Sequence, residues 1–547
     1  MVKLNDDYIG DPDSFTTSKI AVPSGVDFET VRQKTSAEPV WAHFGGGNLF
    51  RCMHASFQQV LLEKGLTDKG IILFETWDDQ LVDNVYKRFD NRSLEVVLKA
   101  DGNYDLKLIN SVTESHYINP LSENPVHVAA CARLKEVFAA KSLQLVTLTV
   151  TEKGYNLTDL NDNYFEVVAN EIAAGPDNAQ SLIGILTAAL FTRFTSGAHP
   201  IALLSTDNFS HNGDKLKSSI LTVANEWLNN GFVDADFINY LEDKSKVSYP
   251  YSMIDRITPS PSSAIAKRLL EDGFEDVEII KTEKSTYSAP FVNTEEINYL
   301  VVEDSFPASR PQLESAGVIF TSKDKVDEVE RMKVCTCLNP LHTSLAVLGC
   351  LLGYDTIYGE VKNPLLLKLI QKVGYQEGLK VVTDPGIISP EAFIDEVIEK
   401  RLPNPYIPDT PQRIATDTSQ KIPIRFGVTI SLYSKNPDLD VQNLEAIPFV
   451  LAAWLRYLLG VAESGEQFQR SPDPLLSELD KITGDIKLGD TGGSIEKIKQ
   501  IIADPKIFGV DLVAVGLEER IFEHFKFMVA EKGNVVKLLE KVVAEDK

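Results

Sequence analysis

The segment from Lys333 to His342 collects several side chains that can do proton chemistry. Lys333 can serve as a base if burial or a nearby cation lowers its pKa towards neutrality. Asn339 and His342 stand three residues apart, so on a helix they share one face and can address the same oxygen atom. This set suits the oxidation of an alcohol, which needs a base for the hydroxyl proton and donors for the developing oxygen charge.

Each of these residues also has a simpler interpretation. Lys333 can be a solvated helix side chain, and His342 a half-buried histidine with satisfied hydrogen bonds. Asn339 precedes Pro340, which is typical of a helix N-cap followed by proline at the first helical position. Cys335 and Cys337 near a histidine suggest a metal, but their spacing is not that of common zinc sites and no second ligand pair stands out. We therefore predict no metal.

A second chemical signal is a glycine-rich turn between a strand and a helix. The apolar run from Val40 to Phe44 predicts the strand, and helical spacing predicts a helix from Phe50 to Lys64. Glycines let the backbone approach a pyrophosphate, and the helix start supplies N–H groups and a positive dipole end. The third glycine of the usual dinucleotide fingerprint is absent. The predicted cofactor-binding residues of this turn are Gly45, Gly46, Gly47, Asn48 and Leu49.

An acidic residue follows the next predicted strand. Glu75 ends the run that begins at Ile71, where a carboxylate can accept hydrogen bonds from the adenosine ribose and repel a 2′-phosphate. This position favours NAD over NADP. Asp78 is the alternative, because the spacing from Gly45 to Glu75 is longer than usual. Glu75 can also be a solvated residue at a strand end.

The order of predicted elements indicates the fold class. Strands at 40–44, 71–74, 143–150 and 201–204 alternate with helices, which favours a doubly wound parallel α/β sheet. The first forty residues are polar and predicted to be irregular, and the chain after about residue 320 has mostly helical patterns. We predict a Rossmann-type dinucleotide-binding domain over 1–321 and a mainly α-helical substrate and catalytic domain over 322–547.

Composition narrows the class of partner and the compartment. A net charge of −25 argues against nucleic acid and anionic membrane surfaces, although local cations can still bind a small anion. No apolar run is long enough for a membrane span, and the N-terminus has no signal-peptide pattern. The five cysteines are too few and too scattered for a disulfide framework. These features predict a cytoplasmic enzyme that acts on a small molecule, as a monomer or small homo-oligomer.

Several motifs, in order along most of the chain, resemble one family. That family is the polyol-specific long-chain dehydrogenases, which contain mannitol dehydrogenase and mannonate oxidoreductase (fructuronate reductase). The ordered set is more specific than any single motif. The matching segments are His43 to Arg51, Leu148 to Tyr155, Ser205 to Gly213, Met253 to Pro259, Val302 to Phe306 with Arg310 and Pro311, Lys333 to His342, and Arg413 to Lys421.

The resemblance implies a Rossmann-type first domain, a helical second domain and metal-independent hydride transfer with NAD. It also implies roles for individual residues. Lys333 matches the base, His342 the group that orients the reacting hydroxyl, and Glu152 a carboxylate linked to proton exchange with solvent. The remaining matches are Asn208 and Asn339, which hold the substrate oxygen, and Asp255, Arg413 and Lys421, which contact the substrate.

The chain departs from the family pattern beside the base. Five residues rather than four separate Lys333 from Asn339, which rotates the helix face by about 100° unless a π-bulge absorbs the insertion or the helix breaks before Pro340. The motif versions favour a reductase that interconverts fructuronate with mannonate or tagaturonate with altronate. The alternatives are a mannitol or other polyol 2-dehydrogenase, and a sugar-acid epimerase that retains NAD.

Overall fold

The computed structural model describes residues 3–4, 20–21, 25–159, 161–490 and 492–544. It divides the chain into two compact units. The first unit contains the described residues up to Leu98 and those from Asn103 to Asp327, and the second contains Lys99–Gly102 and the described residues from Glu328 onwards.

A six-stranded parallel sheet forms the centre of the first unit. The strands are β1 (Trp41–Phe44), β2 (Ile71–Glu75), β3 (Val112–Tyr117), β4 (Leu145–Leu148), β5 (Ile201–Ser205) and β6 (Val247–Ser248). They run in the order β3-β2-β1-β4-β5-β6, and all neighbouring pairs are parallel. This order is that of the doubly wound Rossmann fold, as predicted.

The central strands are mostly apolar and fully buried because both faces of the sheet are covered. Successive side chains of a strand point to opposite faces, so Trp41 and Ala42 enter two different hydrophobic cores. A strand buried on both sides reads as a continuous apolar run, which is why β1, β2, β4 and β5 were predictable.

The other elements of the first unit surround this sheet. A four-stranded sheet has the order Ile20–Ala21, Tyr104–Ile109, Ser93–Leu98 and Phe291–Glu295, and a three-stranded sheet has the order Ser252–Asp255, Tyr299–Glu303 and Ile319–Thr321. Ile280–Lys281 and Tyr287–Ser288 form a small antiparallel hairpin. The α-helices are Phe28–Ala37, Asn48–Cys52, His54–Glu63, Asp79–Leu81, Pro125–Ala139, Glu166–Ala174, Leu182–Thr195, Asn212–Asn229, Ala235–Glu242 and Ser263–Glu271.

The second unit is helical. The helix Lys323–Met332 crosses the division between the units and continues directly into a π-helical turn. The further α-helices are Asn339–Leu352, Ile357–Val361, Pro364–Gln371, Pro390–Glu396, Pro411–Ile414, Thr418–Ile422, Val428–Lys435, Ala446–Tyr457, Leu476–Thr483, Lys499–Ile502, Pro505–Phe508, Glu518–Ala530 and Asn534–Val542. The π-helical turns are Lys333–Cys337, Lys372–Gly378, Val397–Arg401 and Pro423–Gly427, and the first unit has one at Val82–Tyr86.

Two local expectations were wrong. The first forty residues contain the helix Phe28–Ala37, which Asp27 caps by accepting a hydrogen bond from the Thr30 N–H at 3.2 Å. The pattern from Glu518 to Glu540 predicts one long helix, but the structure has two, Glu518–Ala530 and Asn534–Val542, since Gly533 adopts a φ of 86° between them. Part of the polar N-terminal segment lies outside the described residues.

One continuous helical segment, from Lys323 to Leu352, is long and apolar enough to cross a membrane. Most of its apolar window, 83%, is buried against the rest of the protein, as in the core helix of many globular folds. Length and hydropathy alone therefore give only weak evidence for a span among the described residues. All five cysteines are free thiols.

Candidate active site

The glycine turn follows β1, where the strand order reverses between β1 and β4. Open α/β sheets bind ligands outside the carboxyl ends of the strands at this switch point. Gly45 has a φ of 101°, and its N–H donates to the Phe74 carbonyl at 3.1 Å. A Cβ at Gly45 would lie 2.3 Å from the carbonyl oxygen of Thr149, so this position requires glycine.

Gly47 leaves an open space beside the start of a helix. It precedes the helix Asn48–Cys52 with an ordinary φ of −70°, and a Cβ there would meet no atom within 4 Å. No side chain caps this helix start. The space beside its first N–H groups suits a pyrophosphate. Asn48 accepts a hydrogen bond from the Arg51 guanidinium at 2.8 Å, and Leu49 packs partly buried against the sheet.

Gly47→Ala tests whether that open space belongs to the cofactor. The substitution fits the free protein, so we expect the free energy of unfolding to change by about 1 kcal/mol or less. We expect NADH binding to weaken by about 10- to 100-fold, because overpacking costs on the order of 1–3 kcal/mol. Calorimetric titration with NADH measures this. Gly493→Ala is the matched control, since a Cβ there also meets nothing within 4 Å; equal NADH affinity in both variants would contradict the assignment.

Glu75 lies against the glycine turn. Its carboxylate accepts the Gly46 N–H at 2.7 Å and the Trp77 N–H at 2.8 Å, and the residue is 6% exposed. Burial raises its pKa, and the backbone donors oppose that shift. Asp78, the alternative ribose ligand, is buried and accepts hydrogen bonds from the Leu81 N–H at 3.3 Å and the Thr282 hydroxyl at 2.6 Å. Of the two carboxylates, Glu75 is bonded to the turn, and its contact with the ribose stays a prediction.

A buried carboxylate organises the carboxyl ends of β4 and β5. Asp207 accepts the N–H groups of Val150 at 3.0 Å and Thr151 at 2.8 Å, and the Tyr155 hydroxyl at 2.6 Å. Thr151 has a φ of 68° and a ψ of 157°, a conformation that β-branched residues rarely adopt. Asp207 therefore holds a strained turn in place at the switch point.

Two predicted site residues lie beside that strained turn. Glu152 begins the 3₁₀ turn directly after Thr151 and is exposed, and Asn208 follows Asp207 and is also exposed. Sequence reasoning missed Asp207, although an acidic residue two positions after a buried parallel strand is a recognisable signal. Asp255, a third predicted residue, is buried at the end of the strand Ser252–Asp255.

Lys333 begins a π-helical turn in the second unit. It is buried, with 5% of its surface exposed. The Leu338 N–H donates to the Lys333 carbonyl at 3.1 Å, the five-residue spacing of a π-helix. The π turn takes up the extra residue between Lys333 and Asn339, and the helix is also interrupted at Leu338, before Pro340, so both structural alternatives occur together.

Asn339 and His342 lie on the first turn of the next helix. Asn339 is the first helical residue, Leu338 stands at the cap position, and no side chain caps this end. The N-cap interpretation of Asn339 is therefore wrong. His342 is 9% exposed, and burial lowers its pKa to about 4, partly offset by the Asp409 carboxylate. A neutral imidazole has one donor and one acceptor nitrogen, which suits it to orient a hydroxyl group.

Cationic side chains surround His342 in the second unit. Those of Arg401, Arg425 and Arg413 all act electrostatically on its imidazole. Arg413 forms an ion pair with Asp409, and the Arg425 guanidinium donates to the Thr343 hydroxyl at 2.5 Å. We call this set, together with Lys421, the basic cluster; its members are Arg401, Arg413, Lys421 and Arg425.

Lys421 is the cluster member whose charge is most sensitive to pH. Its ammonium donates to the carbonyls of Ile414, at 3.0 Å, and Thr416. Burial, together with the positive charges of Arg425 and Arg413, lowers the pKa of Lys421 to about 8. The group is mostly charged at neutral pH and neutral above that pKa.

Three of the four π-helical turns in the described part of the second unit carry candidate site residues. Lys333, Arg401 and Arg425 each lie in a separate π turn. A π turn inserts one residue into a helix and changes the direction of the side chains around it, and such turns are frequent at functional sites. Sequence periodicity predicts a helix in these segments but has no signal for the extra residue.

No group of three or more His, Cys, Asp or Glu side chains that could hold a metal occurs among the described residues. Burial raises the pKa values of the Cys335 and Cys337 thiols.

Comparison with known proteins identifies both units. The family model of the mannitol dehydrogenase Rossmann domain matches residues 41–315, and that of the mannitol dehydrogenase C-terminal domain matches residues 325–528. A D-mannonate oxidoreductase of Thermotoga maritima is 49% identical over 548 residues, which cover 100% of each chain. A D-mannonate oxidoreductase of Escherichia coli is 27% identical and covers 86% of this chain and 90% of its own.

A solved structure has the same fold. D-sorbitol dehydrogenase in substrate-free form superposes with a TM-score of 0.80 at 22% identity, over 98% of this chain and 100% of the other. The strand order, the glycine turn at the switch point and the matches to both domain families agree. The chain therefore belongs to the mannitol dehydrogenase family and is an NAD-dependent oxidoreductase of secondary alcohols.

Proposed function

We propose that the enzyme reduces a keto-sugar acid with NADH, interconverting fructuronate with mannonate or tagaturonate with altronate. The observation that carries this proposal is the basic cluster around His342. The chain has a net charge of −25, yet four cations gather in this one region. Arginine side chains bind carboxylates through paired hydrogen bonds, so the cluster suits a sugar acid better than a neutral polyol. The D-mannonate oxidoreductase of Thermotoga maritima supports the same substrate class.

Lys333 is the proposed general acid and base. In the reductive direction its ammonium gives a proton to the carbonyl oxygen of the substrate, and in the oxidative direction its amine takes the hydroxyl proton. When bound, NADH would supply the hydride for the carbonyl carbon, so ketone, hydride and the proton from Lys333 together give the secondary alcohol. Burial of Lys333 keeps the exchanged proton away from bulk water.

Other side chains hold the substrate in our proposal. Asn208 and Asn339 donate to the reacting oxygen, and neutral His342 orients the hydroxyl. Exposed Glu152 exchanges the proton with solvent. The proposed substrate-contacting residues are Asp255, Arg413 and Lys421.

The chemistry is proposed to be metal-independent. Lys333 and the amide side chains provide the proton transfer and charge stabilisation for which other dehydrogenases use a zinc ion. Undiminished activity after dialysis against a chelator is the expected result, and activity restored only by added metal would contradict it.

The pH dependence of substrate binding tests the role of Lys421. We expect KM for the keto acid to rise about tenfold per pH unit above the pKa of about 8, because neutral Lys421 no longer attracts the carboxylate. The measurement is KM against pH at saturating NADH. In Lys421→Arg, whose guanidinium stays charged, this rise should be absent; the same rise in the variant would assign it to another group.

Substrate preference tests the proposed function itself. NADH absorbance is followed with fructuronate, tagaturonate, fructose and fructose 6-phosphate, one at a time. Turnover of a keto acid at higher kcat/KM than fructose is expected. Preference for fructose would instead identify a mannitol-type 2-dehydrogenase. A sugar acid inverted at one carbon without any net change in NADH would identify an epimerase.

Four broader assignments belong to the same proposal. Residues 1–321 act as the dinucleotide-binding domain, and residues 322–547 as the substrate and catalytic domain. The enzyme works in the cytoplasm as a monomer or small homo-oligomer, and it binds neither nucleic acid nor membrane. The acidic net charge supports the last point.

A further inference from the structure

Trp77 is an exposed tryptophan beside the cofactor turn. It stands two residues after β2, and 65% of its surface is exposed. The three other tryptophans, Trp41, Trp227 and Trp454, are each at most 1% exposed. A large aromatic side chain that stays in water at a ligand-binding edge indicates a binding surface.

Specific contacts fix the position of Trp77. The Glu75 carboxylate accepts a hydrogen bond from the Gly46 N–H of the glycine turn. It also accepts one from the backbone N–H of Trp77, at 2.8 Å. The Lys284 ammonium lies 4.7 Å from the centre of the indole ring, on one of its faces. These contacts hold the indole next to the turn that receives the pyrophosphate.

The hairpin that carries Lys284 is joined to both sides of this region. Its Thr282 hydroxyl donates to Asp78 at 2.6 Å, in the loop after β2. At its other end, the Arg51 guanidinium donates to the Ser288 hydroxyl at 2.9 Å, and Arg51 belongs to the helix that follows the glycine turn. The hairpin therefore borders the side of the turn towards β2, where the adenosine half of a dinucleotide lies in this strand order.

We propose that Trp77 is the stacking platform for the adenine ring of NAD. This inference rests on the assignment of the glycine turn as the pyrophosphate site. Glu75 is assigned to the ribose, and Asp78 already accepts hydrogen bonds from the Leu81 N–H and the Thr282 hydroxyl, so neither carboxylate is assigned to the base. An indole face offers a nucleobase a stacking surface that needs no hydrogen-bond donors or acceptors.

Tryptophan fluorescence tests the proposal directly, because three of the four tryptophans are buried and give a constant background. The enzyme is titrated with 5′-AMP, NAD⁺ and nicotinamide mononucleotide. Saturable quenching by AMP and NAD⁺, with none by nicotinamide mononucleotide, is expected. In Trp77→Ala the quenching by AMP should vanish, and calorimetry should show AMP and NADH bound about tenfold more weakly. Trp77→Phe should recover part of that affinity.

The matched control is Phe232→Ala, which removes another exposed aromatic side chain. Phe232 is 40% exposed and follows the helix Asn212–Asn229, whose C-terminal end lies at the amino edge of the parallel sheet. Unchanged AMP affinity is expected there.

Failure of this inference is distinguishable from failure of the proposed function. Unchanged AMP and NADH affinity in Trp77→Ala would overturn the stacking role while keto-acid reduction by the wild type still stands. AMP binding without quenching would overturn it as well. A wild-type enzyme that binds no NADH would overturn both.

Discussion

Replacing Lys333 with methionine is expected to lower kcat by about 10²- to 10⁴-fold, the range that a positioned acid or base contributes. Methionine has a similar length without the charge, so the buried site keeps its packing. NADH binding should stay unchanged, because the predicted cofactor-binding residues are intact and Lys333 is proposed to act on the substrate. Steady-state kinetics with the preferred keto acid, together with NADH titration, separate the two effects.

Lys372→Met is the matched control for Lys333→Met. Lys372 also begins a π-helical turn in the second unit and is largely buried, with 13% of its side chain exposed. Its ammonium bonds Glu445 and the Val542 carbonyl, at 2.8 Å for the latter, so its role is structural. We expect its replacement to lower the free energy of unfolding by about 1 kcal/mol and to leave kcat unchanged.

Equal losses of kcat in the two lysine variants would show that the effect of Lys333 comes from the π turn and not from proton transfer. A pH profile gives an independent readout. The limb of kcat that belongs to the catalytic group should be present in the wild type and in Lys372→Met, and absent in Lys333→Met.

Asn339→Ala is expected to lower kcat by about 10²- to 10³-fold, the usual cost of losing one donor to a developing oxygen charge. The side chain of Asn339 is half-buried, and it makes no hydrogen bond to the described part of the chain. Its removal should therefore leave the free energy of unfolding within about 0.5 kcal/mol of the wild-type value. Thermal or denaturant unfolding and kinetics on the same variant measure both quantities.

Asn363→Ala is the comparison, because Asn363 also precedes a proline at a helix start. Its side chain caps the helix Pro364–Gln371 by accepting the Leu365 N–H at 2.9 Å, and it donates to the Tyr354 hydroxyl at 3.0 Å. This variant should lose about 1 kcal/mol of stability and no activity. The two Asn–Pro pairs thus predict opposite outcomes, and a stability loss without a kcat loss in Asn339→Ala would refute the catalytic role.

Sequence patterns predicted those strands and helices whose apolar residues follow a clear pattern along the chain. The strands β1, β2, β4 and β5 were visible because strands buried on both faces are continuous apolar runs. The short edge strand β6 has only two residues, and β3 mixes buried and half-buried positions without a regular period, so neither gave a clear pattern. The helix Phe28–Ala37 was missed inside a polar segment, where only Val31 and Thr35 are buried.

By itself, the sequence determined the class of protein: a glycine turn between a strand and a helix, a helical second half, and ordered motifs that resemble one dehydrogenase family. Only the tertiary structure decided how the site is built. It brought Glu75 onto the Gly46 N–H, clamped Thr151 with Asp207, and collected the basic cluster around His342. The physical reason is that these contacts join residues tens of positions apart, while periodicity and spacing report only on neighbours along the chain.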